Sequence, residues 1–381
     1  MANFSWISAI KANLIMFKIV GLWPSGEKYK HDFYALYTVV SITLCLFAHS
    51  VFFTVEVLLL FRSDITVLIR TLFLALTQTL SFIKSCFFVK NLRKLKHLVV
   101  ILESDLFQPQ SSDQRHKIEP ALRSCKRANR SFFSLVYFTL TLFLLLPVLT
   151  NTTKDYILPV QAWYPWYTEK SPAYEFTYLF QIVSTIFRGT TSISIDTFVT
   201  ALNTYVATQC ILLCDTLQNV RLQENSHETL KRSILHHKLI LSFAKNSNVF
   251  FNWIILCQFF STSVSVALTM FLLSLIDPFS SEGHALLFYL SVVILEIFMY
   301  CWFGNEVEIQ SSQIPYSAFE SDWTGIPIEA KKNLLIFIMR AQKPIKMSAI
   351  NLFSLSLATF TTILRTSWSY FAVLRQVNAQ E

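Results

Sequence analysis

Residues 131–150 read SFFSLVYFTLTLFLLLPVLT, twenty consecutive residues without a charge. As a helix rising 1.5 Å per residue, this run spans about 30 Å, the hydrocarbon thickness of a bilayer. Immediately before it, residues 90–130 read KNLRKLKHLVVILESDLFQPQSSDQRHKIEPALRSCKRANR, with ten basic side chains. An uncharged run abutting a basic one is the signature of a span entering the membrane from the cytoplasm. Working outward, further apolar stretches lie near 33–61, 65–89, 175–214, 249–276, 285–303 and 345–374, giving seven spans in all. The 175–214 stretch is rich in Ser and Thr and is interrupted by Arg188 and Asp196. Split at Arg188-Gly189, each half would be marginal for a crossing, so it reads as one long helix extending beyond the bilayer.

Composition agrees. Of 381 residues, 53% are hydrophobic and 15% charged, against about 25% charged in soluble domains. The net charge of +8 comes with no basic face on a nucleic-acid-binding motif, so no nucleic-acid partner is expected. With seven crossings the termini lie on opposite sides. The N-terminal tail and the segments 90–130, 215–248 and 304–346 together hold 24 Lys and Arg, while the other side has only Arg62, Lys154 and Lys170. The expected fold is therefore an all-α membrane protein with seven transmembrane helices, a cytoplasmic N-terminus and an extracellular C-terminus. No cleavable signal sequence is apparent, and none of the seven cysteines falls in an external loop. Of the sequons at Asn3, Asn129 and Asn151, Asn151 alone faces outward, making it the candidate glycosylation site.

Several classes are excluded. A heptahelical G-protein-coupled receptor has an external N-terminus, and its Asp-Arg-Tyr and Asn-Pro-X-X-Tyr signatures are missing here. No phosphate loop, Gly-X-Ser-X-Gly elbow or His-Glu-X-X-His occurs. His236-His237 has no second ligand pair at metal spacing. The chain reads as a non-enzyme without cofactor or metal. Glu56, Arg188, Asp196 and Glu296 are charges within spans, expected to satisfy one another or to meet water.

In the last span Thr362, Thr366, Ser369, Val373 and Val377 recur at steps of 4, 3, 4 and 4, one stripe of a helix. Small hydroxyl residues give way to apolar ones at the external end. Taken alone the stripe fits close helix–helix packing first; it also fits a water-lined pore closed by a hydrophobic ring that gates by dewetting. Arg365 and Arg375 flank it; Arg375 is placed to snorkel at the external end.

The carboxy-terminal third carries a resemblance. Gly304-Asn305-Glu306, then Tyr316 through Trp323, then Met339-Arg340-Ala341-Gln342 with Pro344, and finally Ser367-Trp368-Ser369-Tyr370-Phe371 closely resemble the insect odorant receptor family. The end resembles the chemoreceptor pattern of Thr-Tyr, five mostly hydrophobic residues and Gln-Phe, here Ser369-Tyr370 and Gln376-Val377, with Arg375 inside the interval. The resemblance is sharp over about the last eighty residues and rests elsewhere on segment order and length.

It implies a tetrameric, odour-gated, nonselective cation channel in the plasma membrane of olfactory sensory neurons, with the last helix lining a pore at the four-fold axis. Tuning subunits form heterotetramers with a co-receptor, which has a longer second cytoplasmic loop; the short loop near 215–248 makes this chain resemble a tuning subunit. The organisation implied is a tail and six-helix bundle over 1–314, a cytoplasmic anchor over 315–345, and a pore helix with external tail over 346–381. Within the stripe, Val373 and Val377 match gate positions and Gln376 a pore-mouth position. A small volatile organic ligand is expected among the outer halves of spans two, three, four and six, where the candidates are Ile69, Phe73, Phe143, Leu146, Tyr174, Tyr178, Gln181 and Phe288. Tyr174, Tyr178 and Gln181 share a helix face and offer polar atoms; Trp163 and Trp166 read as interfacial anchors. The further partners implied are lipid and permeating cations. A gustatory-type homotetrameric channel and a metabotropic receptor or transporter are the rival readings.

Overall fold

The computed structural model describes residues 4–26, 32–60, 65–160, 162–219, 226–325 and 327–378; among the rest are Asn3 and Arg62, and the side chain of Val377 also lies outside the described set. Helix α1 (Ile7–Ile19) precedes the first span, which is built of α2 (Phe33–Ser41), a π-helical segment (Ile42–Ala48) and α3 (His49–Leu60). The chain continues through α4 (Ile65–Lys90), α5 (Leu92–Leu102), α6 (Ser112–Leu149), α7 (Ala173–Gln218), α8 (Ser226–Leu275), α9 (Ser281–Ser312), α10 (Ile314–Phe319) and α11 (Ile328–Ala341). It ends with a two-stranded antiparallel hairpin, β1 (Ser348–Ala349) and β2 (Phe353–Ser354), followed by α12 (Leu357–Asn378).

Among the described residues six helical stretches are long and apolar enough to cross a membrane. The seventh span, α12, falls short of that hydropathy because its 22 residues include six Ser or Thr and two Arg. At about 33 Å it is still long enough. The expected start of this span near 345 is corrected: residues 347–355 fold back as the hairpin, with Leu355 N–H donating to Met347 O at 2.8 Å. Asn248 of α8 holds it, its Oδ1 accepting from Ser348 N at 2.8 Å. Gly304 of α9 permits the contact, since a Cβ there would lie 2.3 Å from Leu355 Cβ and 2.7 Å from its carbonyl oxygen. Backbone and side chain pass too close for any larger residue.

The long helices follow from local chemistry. Ser111 caps α6, its hydroxyl accepting from Gln114 N at 3.1 Å, with Asp113 in the first turn. Ser280 caps α9 in the same way through Gly283 N at 3.0 Å. The fourth span is one helix as expected: α7 runs 46 residues, about 69 Å. Every residue from Ile193 to Cys210 is buried. A helix enclosed on all sides needs small residues for close approach, and its hydroxyls need partners inside the helix. Thr197, Thr204 and Thr208 supply them by donating to the carbonyls of Ile193, Thr200 and Thr204 at 2.6–3.0 Å. That explains the Ser/Thr content that makes this stretch ambiguous in sequence.

The larger core lies on the cytoplasmic side, around α7. Helix α1 plugs into it: Trp6 is buried, its carbonyl accepts from Tyr205 Oη at 2.7 Å, and Asn13 Nδ2 donates to Thr197 Oγ1 at 2.6 Å. His236 and His237 of α8 are buried there too. His236 Nε2 meets Gln209 Oε1 at 2.8 Å, and the His237 ring packs edge-on to Phe337. Desolvation, then repulsion from His237 and Arg232, lowers the His236 pKa to about 3; desolvation and Arg340 lower that of His237 to about 4. Both are neutral packing residues.

Candidate functional site

Two cavities stack in the outer half of the bundle. The outer one, about 380 Å³, is lined by Thr71, Phe73 and Leu74 of α4, Phe143, Leu146 and Pro147 of α6, Ile157–Val160 of the external loop, and residues of α8 and α9. The inner one, about 150 Å³, lies between α4, α6, α7 and α9. Leu74, Phe143 and Val160 line both, forming the partition between them.

The inner cavity is lined along α6 by Phe132, Val136 and Leu140 with one hydroxyl residue, Thr139, and is polar along α4 and α7, through Thr77, Gln78, Ser81, Arg188 and Asp196. Tyr289 of α9 completes it. Its Oη lies 2.8 Å from Thr77 Oγ1; Thr77 donates to Phe73 O at 2.9 Å, which leaves Tyr289 as donor in the pair. The ring of Tyr289 packs against Phe73 at 5.0 Å.

At the floor, the ammonium of Lys84, 1% exposed, bonds Asp196 Oδ1 at 2.7 Å and Glu296 Oε1 at 3.0 Å. Tyr300 Oη donates to Asp196 Oδ1 at 2.6 Å. Two of the four span charges singled out in sequence thus converge on a lysine that the loop-by-loop charge count passes over. The triad is compatible with a membrane interior because each charge is paired and hydrogen-bonded.

The roof is the external loop. Gln181 clasps Val160, accepting from its N at 3.2 Å and donating to its O at 2.7 Å, and donates to Tyr164 Oη at 2.8 Å. Tyr174 Oη donates to Ile157 O at 3.0 Å, and Tyr178 Oη donates to Leu144 O at 2.7 Å. Trp163 and Trp166 gather around Phe52 of α3, and Trp166 Nε1 donates to Thr177 Oγ1 at 2.9 Å.

The eight candidate ligand residues divide accordingly. Phe73, Phe143 and Leu146 line the outer cavity, and Phe143 the inner one as well. Ile69 is buried in the cluster behind Phe73. Tyr174, Tyr178 and Gln181 do share a face, but they line neither cavity: their polar atoms are spent holding the loop and α6. Phe288 packs edge-on to Phe138, which is half exposed on the bundle's outside. Thr77, Gln78, Ser81 and Tyr289, none of them a candidate from the sequence, also line the inner cavity. For the three on α4, the spacing at 77, 78 and 81 is a signal in the sequence, polar residues on one side of an otherwise apolar span. Asn151 is exposed at the outer end of α6, in the left-handed region at φ 57°, a conformation asparagine tolerates.

On α12, Phe360 and Ile363 pack on the cytoplasmic-side core and Phe371 and Leu374 on the outer cluster. Ser367 is fully buried, its hydroxyl 3.3 Å from Ser263 Oγ. On the opposite side Thr362, Ser369, Val373 and Gln376 are exposed, Val373 at 59%, and Thr366 is half-buried. Thr362 and Thr366 also border a groove of about 600 Å³ between α4, α8 and α12. In the isolated chain, then, Ser369, Val373 and Gln376 do not pack within the bundle.

Comparison with known proteins agrees with this architecture. Residues 64–368 match the family described as 7tm Odorant receptor. Odorant receptor 13a of Drosophila melanogaster is 25% identical, over 95% of this chain and 94% of that protein. Odorant receptor 10 of Aedes albopictus is 30% identical over 55% of this chain and 57% of its own length. The structure of the insect olfactory receptor OR5 from Machilis hrabei in complex with eugenol superposes with a TM-score of 0.88 at 21% identity, covering 98% and 99% of the two chains.

Proposed function

This chain belongs to the 7tm odorant receptor family, and from that premise we propose that it is the odour-tuning subunit of a ligand-gated, nonselective cation channel. A small volatile organic molecule binds in the stacked cavities of the outer bundle, and the signal reaches α12. There Val373, Val377 and Gln376 form the gate and pore mouth, with Thr362, Thr366 and Ser369 below them. Four α12 helices surround the pore; this chain supplies some and the co-receptor the rest. It works in the plasma membrane of olfactory sensory neurons.

The observation that carries the reading is the outward face of α12. Hydroxyl and amide side chains there are exposed on a helix whose other side is packed, and four copies turned to an axis give them water. A second feature supports assembly. Ile328, Leu335, Ile336 and Met339 of α11 are each more than 60% exposed, an apolar face that suits burial against a neighbouring subunit. Residues 315–345 are accordingly the cytoplasmic anchor, 1–314 the tail and sensing bundle, and 346–381 the hairpin, pore helix and external tail. The short passage from Gln218 at the end of α7 to Ser226 at the start of α8 favours a tuning subunit over the co-receptor. Asn151 serves as the glycan acceptor.

The test is expression with and without the co-receptor under an odour panel. Odour-evoked cation currents that require both chains and persist under G-protein block are expected. Equal currents from the chain alone would replace this reading with a gustatory-type homotetramer.

A further inference from the structure

At the cytoplasmic corner where α4 turns into α5, a cavity of about 820 Å³ opens between α5, the segment that follows α1 and the start of the fifth span on α8. Two of its lining residues fix its depth: Asn91 closely follows the apolar stretch 65–89, and Val249 begins the apolar stretch 249–276. The cavity therefore lies where the headgroups of the inner leaflet meet the cytoplasm. Helix α5 is amphipathic, with Leu92, Leu95, Leu98, Val99 and Leu102 buried. That turns Arg93, Lys94 and His97 to one outward face, where all three are exposed and line the cavity. Among the described residues no acidic side chain lines it, and neither Arg93 nor Lys94 has an ion-pair partner, whereas Lys117 and Lys346 elsewhere on this side pair with Asp215 and Glu308. Lys96 braces the wall, its ammonium donating to Pro24 O and Gly26 O and lying 5.1 Å from the centre of the Trp23 ring. Val100 and Val249, 67% and 55% exposed, add an apolar wall with Phe250.

We infer that this corner binds the headgroup of a polyphosphorylated inositol phospholipid of the inner leaflet. Basic pockets between membrane helices on the cytoplasmic side take anionic headgroups, and phosphate oxygens accept charge-assisted hydrogen bonds from Arg and Lys. The size narrows the class. A cavity of about 820 Å³ is in the range that encloses a whole small molecule, so a serine headgroup with one phosphate would leave much of it to water. Phosphatidylserine also brings an ammonium, which Arg93 and Lys94 repel. The apolar wall makes the ligand a lipid rather than a free inositol phosphate, since Val100 and Val249 gain by covering glycerol and the first acyl carbons. Orientation-setting charge by itself needs no such cavity. On α6, Arg123, Lys126, Arg127 and Arg130 share an exposed face of the same side with Pro120 as the one other lining residue.

Native mass spectrometry of the full chain in detergent micelles tests this by counting the molecules bound as each probe is titrated in. The probes are dioctanoyl phosphatidylinositol bisphosphate, dioctanoyl phosphatidylserine and free inositol trisphosphate. They are applied to the wild type, to Arg93→Gln/Lys94→Gln and to Lys126→Gln/Arg127→Gln. The bisphosphate lipid is expected to bind the wild type at least about tenfold more tightly than either other probe. At about fivefold for each basic residue next to a membrane surface, Arg93→Gln/Lys94→Gln weakens that binding about thirtyfold. The α6 variant removes the same charge from the same side and changes it less than about twofold, because charges beyond a Debye length are screened. Phosphatidylserine or the free trisphosphate binding the wild type as tightly as the bisphosphate lipid overturns the inference, whether or not the variants fold. Equal losses in the two double variants also overturn it, by reducing the corner to its share of the chain's general positive charge.

Discussion

Replacing Lys84 with Met is expected to destabilise the bundle more than removing either of its acidic partners, and the geometry sets the scale. Lys84 Nζ sits 2.7 Å from Asp196 and 3.0 Å from Glu296 with 1% of its side chain exposed. Without the ammonium, two carboxylates face each other at the floor of a buried cavity. Removing one partner of a buried pair costs about 3–5 kcal/mol, because the survivor is left uncompensated. With the unfolding entropy typical of globular chains, that lowers the melting temperature of a protein this size by on the order of 5 °C. Glu296→Gln, by contrast, leaves Lys84 and Asp196 as a neutral pair and is expected to cost less than about 1 kcal/mol. The Lys84→Met/Glu296→Gln double variant is expected to recover part of the loss, a non-additivity that isolates the charge coupling. The assay is thermal unfolding of the detergent-solubilised protein, followed by fluorescence-detected size exclusion. Equal melting temperatures for wild type and Lys84→Met, or strictly additive losses in the cycle, would refute the claim that the acidic pair depends on this cation.

Gly304→Ala places a Cβ 2.3 Å from Leu355 Cβ and 2.7 Å from its carbonyl, so surface expression is expected to drop several-fold; normal expression would mean that the hairpin shifts freely. Val373→Ala thins the proposed hydrophobic ring and is expected to raise basal current in co-expressing cells, and a basal current identical to wild type would move the gate elsewhere. Burial holds His236 and His237 at pKa values of about 3 and 4, below the unfolded value of about 6.5. Above pH 6.5 both are neutral folded or unfolded and contribute nothing. As pH falls from 6.5 toward 4 only the unfolded chain takes up their protons, so stability falls, on the order of 2–4 kcal/mol by pH 5. Melting temperatures measured across that range should decline, and His236→Gln should flatten the decline; a pH-independent melting temperature would contradict their burial as neutral rings.

The membrane class, the span order and the orientation were legible in the chain itself, because each is set by one-dimensional quantities. Twenty uncharged residues at 131–150 need no tertiary context to imply a crossing, and 24 basic residues against three imply its direction. The stripe on α12 was legible as well, since helical periodicity alone puts Thr362, Ser369 and Val373 on one side. What those residues meet was decided by tertiary structure. Tyr174, Tyr178 and Gln181 share a face by spacing, yet only the path of the external loop turns that face into a clasp on Ile157 and Val160. Lys84 reads as one charge within a span until helices distant in sequence bring Asp196 and Glu296 to it. Residues 345–356 carry the apolar content of a span, but they form a hairpin because Asn248 and the gap left at Gly304 receive one. Hydropathy and periodicity are properties of a segment, whereas a cavity or an ion triad is a relation between segments, and only the packed chain fixes such relations.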